Sequence, residues 1–309
     1  MQMRLLPDHP ERMSRARLSL VGLSVGDALG ERFFVSPETV ESLIHQRAIP
    51  AAPWRFTDDT VMAISIVEVL DDHGHIDQDA LARLFAEKYA RDPYRGYGGT
   101  AHDILEALVA REPWRDVSAA VFDGQGSMGN GGAMRAGPIG GYFADDLSAA
   151  ARNAGLSAEV THAHREGQAG AIAVAVAAAW AASRRPAADL LRGVLCYVPT
   201  GETHAGIARA AALSPADDVA SAVSALGNGS RVLAIDTVPF ALWCAARHLD
   251  NYEEALWTTV AGLGDRDTTC AIVGSIVALA VGDPSIPADW ISSREPLEVM
   301  SRAGGRRTT

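Results

Sequence analysis

The chain has 309 residues, of which 48% are hydrophobic and 21% charged, and it carries a formal net charge of −11. That profile fits one large globular domain or two smaller ones, and the acidic excess argues against general nucleic-acid binding, which needs a basic face. Aromatics supply only 6% while glycine alone contributes 29 residues, so the core must come from closely approaching helices rather than from large side chains.

The first core helix is predicted over 15–30, where Leu18, Val21, Val25 and Leu29 follow helical spacing. Gly22, Gly26 and Gly30 recur every fourth residue on one bare side of it. Glycine weakens a helix, so three in a row predict another backbone packed tightly against that side. Asp27 lies inside this run and Glu31 follows it. Prolines 37, 50 and 53 break the pattern, leaving room for a short helix over 37–46. Helices then follow over 60–70, 79–90, 100–110 and 114–122, the second of them amphipathic.

Residues 123–132 are the least regular part, with five glycines in ten residues. Such a loop is either plainly flexible or lets backbone N–H groups approach a ligand closely. Because it runs into the packed-looking 133–140, an idle role is less expected. Further helices are predicted over 146–161, 168–182, 187–198, 202–212, 215–224, 238–248 and 252–262, with one more behind Asp265. The alanine-rich run at 169–182 is too short to span a bilayer and reads as a buried helix. Cys196, Cys244 and Cys270 form no CxxC pair and read as reduced core thiols of a cytoplasmic protein. Residues 1–17 lack the apolar stretch of a signal peptide. No sustained two-residue alternation occurs, so the expected fold is all-α, a single compact multi-helix domain over 1–309 with 1–14 and 300–309 frayed.

The chemistry concentrates at two helix starts. Thr57-Asp58-Asp59-Thr60 precedes an apolar run at 61–67, and Asp265-Arg266-Asp267-Thr268-Thr269 precedes another at 271–279. Each alone is an N-cap with a spare acid. If the two starts meet, four carboxylates share one site, raising one another's pKa values unless a cation neutralises them; hard divalent cations take such oxygens. His162 and His164 have no partner at zinc spacing.

The chain resembles the ADP-ribosylglycohydrolases, the all-α group that includes the dinitrogenase-reductase-activating glycohydrolases. The matching stretches are Gly26-Asp27-Ala28-Leu29-Gly30, Thr57-Asp58-Asp59-Thr60, Arg95-Gly96-Tyr97-Gly98, Gly129-Asn130-Gly131-Gly132-Ala133-Met134-Arg135, Thr161-His162, Leu226-Gly227-Asn228-Gly229 and Gly264-Asp265-Arg266-Asp267-Thr268. Among them, Arg95 to Gly98 and Gly129 to Arg135 look nearest to the branch acting on serine-linked ADP-ribose and related O-linked esters and polymers. The resemblance implies two Mg²⁺ or Mn²⁺ ions held by Thr57, Asp58, Asp59, Asp265, Asp267 and Thr268. It implies an adenine stacked on Phe122, a diphosphate and ribose cradled by Gly126, Ser127, Met128, Gly129, Asn130 and Gly131, and His162 near the ligand.

Four positions depart from the family pattern. Leu263 and Arg266 replace a glycine and a threonine of the last motif, Met128 stands where a relative has an aromatic, and Phe34 replaces a glutamate seven residues after Asp27. Glu31 is therefore the expected proton-handling carboxylate, with Asp58 and Asp59 the other catalytic candidates. The expected activity is hydrolysis of the bond between ADP-ribose and a modified protein or small acceptor, without membrane or general nucleic-acid partners. Phe34 leaves open a non-catalytic ADP-ribose reader or transferase inhibitor.

Overall fold

In a computed structural model, which describes residues 5–297, the chain folds almost entirely into helices. The N-terminal third holds α1 (His9–Glu31), α2 (Pro37–Gln46), α3 (Asp58–His73), α4 (Gln78–Arg91), α5 (Gly99–Val109) and α6 (Trp114–Gly124). The middle holds α7 (Gly131–Met134), α8 (Gly137–Tyr142), α9 (Leu147–Glu159), α10 (Arg165–Ala182) and α11 (Leu190–Leu195). It ends with α12 (Glu202–Ala212), α13 (Val219–Leu226), α14 (Ala234–Arg247), α15 (Tyr252–Ala261), α16 (Arg266–Val281) and α17 (Ala288–Ser293). Among the described residues there is no strand, only two isolated bridges, and no helix is long and apolar enough to cross a membrane.

Two features differ from the sequence expectation. Residues 9–14, expected to be frayed, form the first turns of α1 with Met13 buried, because its apolar spacing continues upstream of Arg15; 300–309 lie outside the described residues. Cys196 is exposed, whereas Cys244 and Cys270 are buried.

The centre is the pair α1 and α16, which pack against each other more extensively than any other two elements. The reason is the glycine row. A Cβ on Gly22 would strike the Gly274 carbonyl, one on Gly26 would lie 2.7 Å from the Cys270 carbonyl carbon, and one on Gly30 would lie 2.6 Å from that of Arg266. The two backbones touch along three turns. Helices α10 and α16 are apolar nearly all round and buried accordingly.

Buried acids join helices end to side. Asp27 of α1 accepts from the backbone N–H groups of Thr57 (3.0 Å) and Thr60 (3.1 Å), which are orphan donors at the start of α3. Glu166 of α10 does the same for Glu202 and Thr203 at the start of α12.

The seam gives a direct stability test. Gly26→Ala is expected to destabilise by about 3 kcal/mol or more, since backbone rather than a movable side chain blocks the methyl group. Gly99→Ala, where an added Cβ meets nothing within 4 Å, is expected to stay within about 0.5 kcal/mol of wild type. Urea denaturation of the two variants measures the contrast.

Candidate active site

The seam brings the start of α16 beside Asp27, and Asp27 in turn holds the start of α3. The two acidic clusters therefore meet. Asp58, Asp59, Asp265, Asp267 and Thr268 all line one cavity of about 520 Å³. Its other walls come from Gly96 and the α5 residues Ala101, Ile104 and Leu105, from Ser127 and Gly129 to Gly131, from Arg135 and His162, and from Arg231 to Leu233.

Each carboxylate has a traceable support. The Thr57 hydroxyl lies 2.9 Å from Asp27 Oδ1 and 3.1 Å from Asp59 Oδ2, and Thr60 donates to Asp27 at 2.5 Å. Asp265 Oδ2 accepts from the Asn130 side-chain amide at 2.6 Å, and that amide also donates to Thr237. The Asp265 backbone N–H donates to the Asn228 carbonyl, and a Cβ on Gly229 would come 2.7 Å from Asp265 Cβ. The Leu226-Gly227-Asn228-Gly229 stretch thus seats Asp265. Arg95 bonds the carbonyl of Phe56, one residue before the α3 cap, while Gly96 stands in the left-handed region beside Asp58.

Electrostatically the cluster is costly. Burial, followed by the neighbouring acids, pushes Asp58 and Asp59 well above the ordinary carboxylate range. Burial raises Asp265 to about 7, and Asp267 and Asp27 to about 6. Asp59 Oδ1 and Asp267 Oδ1 are buried with no hydrogen-bond partner. One built-in compensation is Arg135, itself lowered by burial to about 9 and stretched between the Gly131 and Ser157 carbonyls, the Thr161 hydroxyl and the face of Phe85. His162 is held neutral: burial and then Arg135 lower it to about 3, and its Nδ1 lies 2.7 Å from the Thr161 hydroxyl. Gly129 and Gly131 leave the room its ring occupies.

Hard oxygen donors with two orphaned oxygens suit a divalent cation. Among the described residues, no three His, Cys, Asp or Glu side chains are already gathered around one point.

Phe122, Ser127, Gly129, Asn130, Gly131 and His162 line the cavity with the four aspartates. Four expected residues do not. Thr57 stands behind the wall, with its hydroxyl between Asp27 and Asp59. Glu31 is exposed and is not among the cavity-lining residues, although it lies near enough to Asp265 and Asp267 for their charges to act on one another. A Cβ on Gly126 would meet the His164 backbone N at 2.5 Å, so this glycine serves packing. Met128, expected in the same region as Phe122, is outside the wall and gives its carbonyl to the Ala234 N–H. Sequence reasoning had assigned no role to Asp27, Arg135 or Arg231. A buried acid inside a glycine row was the available signal for Asp27.

Two departures from the family pattern touch each other. The Arg266 guanidinium carbon lies 4.5 Å from the Phe34 ring centroid, and its Nη1 donates to the Phe33 carbonyl at 2.7 Å. Arg266 therefore turns outward along α1, away from the cavity.

Comparison with known proteins follows the same outline. A family model described as ADP-ribosylglycohydrolase matches residues 8–306. The ADP-ribosylhydrolase ARH3 of Homo sapiens is 30% identical over 335 aligned residues, covering 93% of this chain and 90% of its own. An uncharacterized protein of Archaeoglobus fulgidus is 30% identical and covers 92% of both chains. A solved structure titled "ADP-ribosylglycohydrolase-related protein complex" superimposes with a TM-score of 0.67 at 24% identity, covering 92% of this chain and 93% of that one.

The raised carboxylates fix a pH dependence. Where a folded-state pKa lies above the unfolded value of 3.8, the native state retains protons that the unfolded chain has lost, so stability falls as pH climbs from that value through about 6 to 7. His162 acts oppositely, costing stability as pH falls below 6.5 toward 3, but it is one group against the acidic cluster. Metal-free protein in chelator is therefore expected to melt at a lower temperature at pH 7.5 than at pH 5, with Mg²⁺ or Mn²⁺ restoring the loss at pH 7.5. A metal-free melting temperature that is flat or rising across this interval contradicts the electrostatics.

Proposed function

Because this chain belongs to the ADP-ribosylglycohydrolase family and is a glycosyl hydrolase, we propose that it hydrolyses the bond between the distal ribose of ADP-ribose and an oxygen-linked acceptor, such as a modified serine or an acyl ester. One observation carries this most: four carboxylates from the starts of α3 and α16 open into a single cavity whose facing wall is a glycine-rich backbone. Asp58, Asp59, Asp265, Asp267 and Thr268 would hold two divalent cations, Mg²⁺ or Mn²⁺, with Thr57 supporting Asp59 from behind. Bound there, the cations would neutralise the acids and supply positive charge against the oxygens of ribose, water and phosphate.

The chain's own residues do the rest. Cleavage of a glycosidic bond passes through an oxocarbenium-like centre, and an attacking water must lose a proton. Asp59 is the proposed acceptor: it lines the cavity, its Oδ1 has no partner, and its Oδ2 is steadied by Thr57. Glu31, which is not among the cavity-lining residues, is given no proton-transfer role in this reading. Its charge acts on Asp265 and Asp267 from outside. Asn130 keeps Asp265 in place. Ser127, Gly129 and Gly131 offer a side-chain-poor surface to the diphosphate and ribose, neutral His162 lies against them, and Phe122 offers a face for adenine.

The test is release of free ADP-ribose with Mg²⁺ present, comparing serine-linked and arginine-linked substrates. Faster release from the serine-linked substrate is expected. Asp59→Asn should lose at least about a hundredfold in turnover while still binding ADP-ribose, and Glu31→Gln should stay close to wild type. Tight ADP-ribose binding with no release from any linkage would mark a reader instead, and loss in Glu31→Gln with Asp59→Asn active would return the proton to Glu31.

A further inference from the structure

The stretch that leads into α3 is tied down from the far end of the chain. Residues 48–57 carry no helix, yet they deliver the start of α3 to the cavity floor. Trp54 within them is fully buried and edge-on to Trp290 of α17, with ring centroids 6.3 Å apart. The residues at the end of α17 then run alongside. The Trp54 N–H donates to the Ser293 carbonyl at 2.7 Å, and the Glu295 N–H donates to the Trp54 carbonyl at 2.8 Å, forming a short parallel bridge.

That bridge brings the Glu295 side chain to two donors. Its Oε1 accepts from the Phe56 N–H at 2.9 Å and from Arg95 Nη1. Arg95 is itself fixed: Nη1 also donates to the Phe56 carbonyl at 3.2 Å, Nε donates to Asp92 at 2.8 Å, and the guanidinium carbon lies 4.9 Å from the Phe56 ring centroid. The Arg95 and Glu295 side chains are only 17% and 22% exposed, so solvent screens this pair less than an ordinary surface ion pair. The two donors serve different walls of the site. Phe56 immediately precedes the Thr57 cap of α3, and Arg95 immediately precedes Gly96, where an added Cβ would lie 3.5 Å from Asp58 Oδ1. One carboxylate oxygen therefore holds the entry to α3 against the chain that leans on Asp58.

We infer that Glu295 is a positioning residue for the cation site, setting the placement of Asp58 through Phe56 and Arg95. It does not line the cavity and makes no hydrogen bond to Asp58, Asp59, Asp265 or Asp267. The inference rests on the proposed function, which gives the cations to Asp58 and its neighbours. Partners that orient a metal ligand from outside change metal affinity when they are lost. What the site needs from residue 295 is an acceptor at one point rather than a charge: Oε1 makes both bonds, and Oε2 makes none among the described residues. Asp27 holds the same helix start from α1 through Thr57 and Thr60, so α3 is anchored from both ends of the chain.

Calorimetric titration of the metal-free protein with Mn²⁺ tests this. Glu295→Ala should weaken Mn²⁺ binding by about tenfold to a hundredfold. Glu295→Gln keeps an acceptor oxygen at the same reach and should lose less than about threefold. Glu295→Asp keeps the charge but draws the oxygen back by one methylene, and should fall toward the alanine variant. If residue 295 acted by its charge at a distance, the order would reverse, with Asp tolerated and Gln weakened; that result overturns the positioning role, and these two mild substitutions decide it even where the alanine variant does not fold. Release of ADP-ribose by Glu295→Ala should need more Mn²⁺ for half-maximal rate and return near wild type at saturation. A merely structural tie would lower the melting temperature and leave Mn²⁺ affinity unchanged in the Ala and Asp variants, which overturns the inference alone. Wild type that binds no Mn²⁺ overturns the proposed cation site and the role of Glu295 with it.

Discussion

The close approach of α1 and α16 is the constraint on which the rest depends. Three glycines at intervals of four let two backbones touch where side chains would hold helices 8–10 Å apart. Asp27 sits between the second and third of them, so the same contact that forms the core buries a carboxylate at its end. That carboxylate cannot stay unpaired in such a place. It is satisfied by the free N–H groups and hydroxyls of Thr57 and Thr60, which means that α3 can start only where Asp27 permits. The orientation of Asp58 and Asp59 follows from that start, and the position of Asp265 and Asp267 from the seam itself.

The outcome is a concentration of negative charge that the protein alone does not balance. Arg135 and the two helix N-termini offset part of it, while His162 contributes no charge. Orphaned carboxylate oxygens on both Asp59 and Asp267 mark where compensation is missing. A cavity of this size, acidic at the floor and carrying the exposed Phe122 ring on its wall, suits a ligand that is oxygen-rich at one end and flat at the other. The departure pair Phe34 and Arg266 forms a surface contact outside this cavity, so it changes the flank of the seam and leaves the acidic floor intact.

Local patterns were legible in the sequence. Helix periodicity placed most elements, the glycine row announced a tight backbone contact, and both acidic clusters read correctly as helix starts. What could not be read was direction. Glu31 is four residues from Asp27, yet its side chain is exposed and absent from the cavity lining. Gly126 and Met128 belong to the same loop as Ser127 and Gly129, but alternate residues of an irregular backbone face different neighbours. The Arg266–Phe34 contact joins residues far apart in the chain, and nothing in the sequence singles out Arg231, whose place follows from the bonding of its loop to Gly129 and Asn130. The short helices α7 and α8 escaped because glycine and proline mask their period.

The central claim is that the starts of α3 and α16 together form a cation site. Diffraction from crystals grown with Mn²⁺, recorded at a wavelength where manganese scatters anomalously, tests it without reference to turnover. Two anomalous peaks about 3.5–4 Å apart, lying among Asp58, Asp59, Asp265 and Asp267, are the predicted result. Manganese absent from that cavity, or bound only at surface carboxylates while the fold is unchanged, would contradict the account.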